Sequence, residues 1–175
     1  MADLTIRSIL TDDCTAMAAA FRAIGWRSKP QSLFERYCVE QASGSRAVFV
    51  AFARQAFAGY VTLLWRPTYR PLADIGAPEV QDLNVLPAYR RRGIAAQLMR
   101  CVENAAAERA KAIGLGVGLH PGYNAAQRLY GLLGYVPDGH GVTVNELPVH
   151  EGQTVTLDDD TVLHLEKWLM KREEG

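Results

Sequence analysis

The sequence has no excess charge of either sign: its 19 basic residues balance 19 acidic ones among 175. Without a net field, neither nucleic acid nor an anionic membrane is an expected partner, and any bound anion must be held by local geometry. Cysteine is scarce. Cys14, Cys38 and Cys101 form no C-x-x-C pair, and His120, His140, His150 and His164 stand in no metal-ligand spacing with them. That excludes a disulfide framework and a zinc site and leaves no metal expected. The three thiols lie in apolar, helix-like stretches, where they act as small hydrophobes of a reducing compartment. No run approaches the ~18 apolar residues of a membrane span. No basic-then-apolar leader follows Met1, so a soluble, cytoplasmic protein is predicted. What remains is a chain that is 49% hydrophobic, with neither repeat nor linker, long enough for one domain over residues 1–175 with a substantial core.

Periodicity places the elements. Leu4 to Ile9 alternates as a half-buried strand, and Thr11-Asp12-Asp13 offers a cap for a helix that Gly25 ends. A second helix is expected from Gln31 to Glu40. Ala47–Phe52 and Phe57–Trp65 are β-rich and form a hairpin about Ala53–Ala56. Residues 66–78, with three prolines and a glycine, are expected to be a loop, and Glu79–Leu86 a strand closed by Pro87. Ile94–Lys111 has the stripe of an amphipathic helix. Leu115–Leu119 suits a buried strand, Asn124–Leu133 a helix ended by Gly134, and Val136 opens another strand. Residues 137–160 are rich in Gly, Pro and Asp, with short β-like pieces, before a last strand over Val162–Trp168. Strands that follow one another directly call for a mixed sheet.

The strongest chemical signal is the passage from a strand through Pro87-Ala88-Tyr89 and Arg90-Arg91-Arg92-Gly93-Ile94-Ala95 into the long helix. A loop entering a helix leaves backbone N–H groups unpaired, and with the macrodipole these make an anion site suited to phosphate. Gly93 and small Ala95 let the backbone approach the ligand, while the arginines add bidentate donors. Gly114-x-Gly116-x-Gly118 has the wrong spacing and setting for a dinucleotide fingerprint; glycines inside a strand let a neighbour come close.

Arg90-x-x-Gly93-x-Ala95 resembles the Q/R-x-x-G-x-G/A signature of the GNAT superfamily of N-acetyltransferases. Leu83–Tyr89 is similar to the strand and turn before it there, and Ala126-x-x-x-Tyr130-x-x-x-Gly134-Tyr135 to the family's second signature. The resemblance implies an α+β, three-layer fold with a mixed, largely antiparallel sheet of about six to seven strands and about four helices. It implies acetyl-CoA as co-substrate, lying where strands four and five splay apart. Backbone groups of Leu83, Asn84 and Val85 would pair with pantetheine, and Arg90, Arg91, Arg92, Gly93, Ile94 and Ala95 would hold the pyrophosphate. Ala126 would open the helix beside the cofactor. Asn124 stands one position away from the family's usual asparagine, where this chain has Tyr123.

Acetyl transfer to an amine needs a neutral nucleophile, a polarised carbonyl and a protonated leaving thiolate. Tyr130 is the candidate acid, since a phenol of ordinary pKa about 10 can protonate a thiolate. Glu79 and Asp82 compete for the role of base. Alternation puts Glu79, Gln81, Leu83 and Val85 on one strand face and Asp82 and Asn84 on the other. His120 either shuttles a proton or caps a turn. Trp26, Trp65, Arg66 and residues 137–160 are candidates for the acceptor pocket, and Asp158-Asp159-Asp160 for a solvated turn. The expected function is acetyl transfer to a primary amine of a small molecule or peptide; an acyl-CoA sensor without turnover is the alternative. A homodimer is left open.

Overall fold

The computed structural model describes residues 4–169. These form β1 (Leu4–Ser8), α1 (Asp13–Ala23), α2 (Gln31–Ala42), β2 (Arg46–Ala53), β3 (Ala56–Leu64), α3 (Arg70–Asp74), β4 (Glu79–Val85), α4 (Ile94–Ala107), β5 (Ala112–Gly118), α5 (Asn124–Leu132), β6 (Val136–Val144), β7 (Leu147–Pro148) and β8 (Thr161–Trp168). Single 3-10 turns, Pro87–Tyr89 and Pro121–Tyr123, precede α4 and α5. The strands run in the hydrogen-bonded order β1-β2-β3-β4-β5-β8-β6-β7. β4 and β5 pair in parallel, whereas β1–β2, β2–β3, β5–β8, β6–β8 and β6–β7 pair antiparallel. The expected mixed α+β class holds, with eight strands and five α-helices rather than six to seven and four. Contacts divide the chain into two compact units, Met1–Trp65 with Gln81–Val102, and Arg66–Val80 with Glu103–Gly175.

In the first unit, β2 and β3 form a hairpin whose turn residues, Arg54 and Gln55, have φ of 49° and 67°. Two successive left-handed residues match the twist of the flanking strands, even without glycine. α1 buries Cys14, Met17, Ala18 and Phe21, a helical spacing, and ends where Gly25 takes φ 82°. Its start differs from expectation. Asp12 makes no side-chain cap bond. The Asp13 carboxylate instead accepts from Leu10 N (2.8 Å) and from both terminal nitrogens of Arg7 (2.6 and 2.7 Å). A charge-assisted fork outcompetes a lone cap bond. The core centres on Phe21, Phe34 and Tyr60, whose ring centroids lie 5.4–6.0 Å apart. Cys14 and Cys38 meet there at 3.6 Å between sulfurs; burial pushes the Cys14 thiol up to about 12, which leaves it a poor nucleophile.

In the second unit, β5 pairs with β8 along its length, from Ala112↔Trp168 to Gly118↔Val162. β4 enters this unit through two parallel rungs, Glu79↔Gly114 and Val80↔Leu115. The glycine series of β5 gives room to side chains: a Cβ on Gly114 would lie 2.3 Å from Leu72, and one on Gly118 the same distance from the Tyr123 ring. One expectation is corrected, and the short β-like pieces expected after Val136 take definite form. The segment 66–78 is not all loop, because α3 lies within it; Pro71 sits in the first turn, where its missing N–H costs nothing. Residues 137–160 supply most of β6 and all of β7, joined by a second left-handed turn at Asn145 and Glu146. β6 pairs with β8 at Val136–Pro137 and again at Val142–Val144, and Gly139 and Gly141 take φ of 86° and 79° between the two stretches. Such an interrupted strand has the composition of a loop.

Candidate active site

The loop before α4 has the backbone of an anion cradle. Arg91 and Gly93 take φ of 58° and 75°, and space around Gly93 is open, with nothing within 4 Å of a notional Cβ. The helical ladder begins with Gln97 N donating to Gly93 O, so the preceding N–H groups have no helical acceptor. Arg90, Arg91 and Arg92 are exposed, Ile94 is buried and Ala95 half-buried. Arg90 Nε turns back to donate to Val85 O (3.0 Å), and Arg92 lies over the Tyr89 ring (5.6 Å). Unpaired N–H groups, open space and cationic rims fit a pyrophosphate.

Immediately upstream, β4 carries a built polar cluster. The Asp82 carboxylate accepts from Tyr60 Oη (2.6 Å), Tyr37 Oη (2.8 Å) and Asn84 Nδ2 (3.1 Å), and pairs with the Lys29 ammonium. Burial alone would push this carboxyl up; Lys29 and the two phenols more than reverse that and hold it below the ordinary carboxylate range. Both phenols are pushed upward by burial and by the neighbouring anion. Asp82 is therefore a fixed anion and a weak base. Its φ of 56° also interrupts the strand, so the facing of Glu79 and Gln81 does not extrapolate past it to Leu83 and Val85. Leu83, Asn84 and Val85 are half-buried, and Gly59 on β3 makes their position possible: a Cβ there would lie 2.5 Å from Asn84 O. Gln81 is held by Arg46, and its carbonyl by Thr62.

In the second unit, Tyr130 is buried on α5 and its hydroxyl has no hydrogen-bond partner among the described residues; burial and the neighbouring Tyr123 push it up to about 12. On the same helix, Asn124 is exposed and Ala126 half-buried. Glu79 is buried at the start of β4. His120 follows the turn-capping alternative: its Nδ1 accepts from Gly122 N (3.1 Å) and its Nε2 lies 2.9 Å from Asp159, which also accepts from Tyr123 Oη. The acidic run is thus exposed but tied to this turn. His164 is buried against Tyr69, rings parallel at 3.5 Å, with neither nitrogen hydrogen-bonded among the described residues.

Sequence reasoning missed Lys29, Tyr37 and Tyr60. They lie on the α1–α2 connection, α2 and β3, far from Asp82 in the chain. The signal was Asp82 itself, since an acid in the middle of a strand must recruit donors to be buried. Of the acceptor candidates, Trp26 stacks on Phe21 and stays 37% exposed. Among the described residues no cluster of three or more His, Cys, Asp or Glu could hold a metal, and no helix is long and apolar enough to cross a membrane.

Solved structures share this fold. The chain superposes on yncA of Salmonella typhimurium, solved with its cofactor acetyl-CoA (TM-score 0.67, 19% identity, covering 98% of this chain and 96% of that one). It does so on an N-acetyltransferase from Staphylococcus aureus Mu50 (TM-score 0.67, 17% identity, 97% and 100% covered). A third likeness is the paia N-acetyltransferase of Thermoplasma acidophilum in complex with coenzyme A (TM-score 0.66, 14% identity, 95% and 99% covered). At these identities the likeness is one of fold. No curated protein matches the sequence significantly. The model of the Acetyltransferase (GNAT) family matches residues 6–135, well over half of the chain, so the protein belongs to that family of acyltransferases.

Proposed function

We propose that the protein transfers an acetyl group from acetyl-CoA to a primary amine of a small molecule or peptide, by direct attack in a ternary complex. The observation that carries this is Tyr130, a buried phenol with no protein partner for its hydroxyl, at the position of the family's second signature. Acetyl-CoA supplies the activated acyl thioester. The N–H groups of Arg91 to Ala95 hold its pyrophosphate, with the side chains of Arg90, Arg91 and Arg92 as auxiliary cations; Leu83 to Val85 pair with pantetheine, and Asn124 and Ala126 keep the cofactor-binding role that the resemblance to the family's second signature implies. Tyr130 gives its proton to the leaving thiolate as the amine nitrogen bonds to the acetyl carbon. A phenol pushed up by burial is fully protonated at neutral pH and so has a proton to give as the thiolate leaves.

Asp82 is assigned to positioning. An ionised carboxylate with four donors has little remaining affinity for a proton, whereas Glu79, buried at the other end of β4, keeps the role of candidate base. The direct test is release of free CoA thiol from acetyl-CoA across a library of amines. Acceptor-dependent release supports transfer. Tight CoA binding with no amine raising thiol release would identify a sensor instead.

A further inference from the structure

The first unit holds a second group of cations, apart from the arginine loop. A cavity of about 360 Å³ opens at the α1–α2 connection, and its lining includes Arg22, Trp26, Arg27, Lys29 and Gln31. This volume lies within the range of about 300–1,000 Å³ typical of small-molecule sites. Arg22 lies in the last turn of α1, Trp26 and Arg27 follow Gly25, and Lys29 precedes α2, so the helix end and one short connection bring three cations to one cavity. Neither Arg22 nor Arg27 has a carboxylate partner among the described residues. Lys29 has Asp82, but that carboxylate is shared with Tyr37, Tyr60 and Asn84. The acid nearest in the chain, Glu35, already accepts from Gln31 (2.8 Å). Trp26 adds a flat apolar wall, stacked on Phe21 at 5.7 Å and still 37% exposed.

Two guanidinium groups without counter-ions, set beside an indole, select a ligand with an anionic group and an apolar part. They repel a polycation. We infer that the acceptor is an amine bearing an anionic group, foremost a carboxylate, which Arg22 and Arg27 bind while Trp26 packs against its apolar portion. The inference rests on the acetyl-transfer proposal and names its substrate class. Lys29 connects the two: it lines the cavity and pairs with Asp82, which directly precedes the Leu83–Val85 segment.

The test compares matched acceptors in the thiol-release assay. L-phenylalanine is set against L-phenylalaninamide, and O-phosphoethanolamine against ethanolamine, so that carboxylate and phosphate are distinguished as the anionic group. Spermidine serves as the polycation. The expected result is a kcat/KM at least about tenfold higher for an anionic acceptor than for its neutral counterpart, the scale of a charge-assisted, bidentate contact. That ratio should collapse toward one in Arg22→Ala/Arg27→Ala, mainly through KM. Both arginines are exposed, so the variant should fold. Calorimetric titration with the same compounds, without acetyl-CoA, gives a readout independent of turnover. Preference for the amide, ethanolamine or spermidine, unaltered in the variant, would overturn the anionic acceptor and leave acetyl transfer standing. Binding of L-phenylalanine or O-phosphoethanolamine that is lost in the variant, with no acceptor raising thiol release, would keep the anion site and remove the transfer. Absence of both turnover and binding would overturn the inference.

Discussion

Asp82 in the first unit and Tyr130 in the second are both polar and largely buried, yet their surroundings treat them in opposite ways. Asp82 is met by an ammonium, two phenols and an amide, and is fixed as an anion. Tyr130 is met by no hydrogen-bond partner among the described residues, and burial keeps its proton in place. A buried group whose hydrogen bonds are all made belongs to architecture, and its loss is felt as stability. A buried group left without partners is free for a ligand, and its loss is felt as rate. The contrast sorts two residues that strand pattern and motif alone had both marked as catalytic.

Asp82→Asn is the severest way to break this comparison. It strands Lys29 without its anion, and breaking a buried pair in this way costs on the order of 3–5 kcal/mol. Urea melts should show a large fall in midpoint with the slope retained; an unchanged midpoint would mean that Asp82 is not structural. Tyr130→Phe should do the reverse. The midpoint should shift little, while kcat falls about 10²-fold, as for loss of a general acid, with the KM for acetyl-CoA nearly unchanged. Equal losses in kcat and stability would place Tyr130 with Asp82.

Glycines sharpen the contrast further. A methyl on Gly59 would meet the Asn84 carbonyl oxygen at 2.5 Å and Val85 Cα at 3.1 Å, both backbone of β4. A methyl on Gly114 would meet only the movable end of Leu72. Gly59→Ala should therefore cost about 1–3 kcal/mol, the usual range for overpacking, and raise the KM for acetyl-CoA by displacing Leu83–Val85. Gly114→Ala should cost less and leave that KM alone. Equal effects on KM from the two would detach Gly59 from donor binding.

Much of the first unit was legible because its signals are local. The apolar spacing of α1, the hairpin of β2 and β3, and the strand–loop–helix passage at Arg90–Ala95 each lie within a few residues of one another. The partners of Asp82 were not legible, since Lys29, Tyr37 and Tyr60 reach it across 53, 45 and 22 positions. Its left-handed φ was hidden too, because nothing in Gln81-Asp82-Leu83 distinguishes a regular strand from an interrupted one. In the second unit the segment 66–78 had loop composition yet holds α3, and the β-like pieces after Val136 could be seen in the sequence while their pairing could not. β8 supplies the pairing that lets a glycine-rich stretch become β6, and tertiary pairing of this kind overrides propensity. The Gly114–Gly118 series was correctly separated from a dinucleotide fingerprint, but what approaches it, Leu72 and Tyr123, could not be seen from the strand alone.

The smallest expected effect concerns protons. His164 is buried, and its imidazole is pushed below its ordinary value near 6.5, with Asp138 and Glu146 opposing only in part. The unfolded chain then binds a proton more readily than the folded one, so the stabilisation from keeping His164 neutral is complete above about pH 6.5. It is lost as pH falls through 6.5 toward the folded value, by at most about 1.4 kcal/mol per pH unit for one proton. Asp82 is also depressed, but from an ordinary value of 3.8, so its stabilisation persists until pH drops below about 4 and is lost on the way to its folded value. Stability should therefore fall in two steps on acidification, the first set by His164 and the second by depressed carboxylates, Asp82 among them. His164→Phe keeps a ring for stacking on Tyr69 and should flatten the decline between pH 7.5 and 5.5 while sparing the one below pH 4. Urea midpoints of the variant and the parent at those pH values decide it. An undiminished slope near pH 6 in the variant would mean that another group titrates there, and that His164 is not the buried neutral base its surroundings describe.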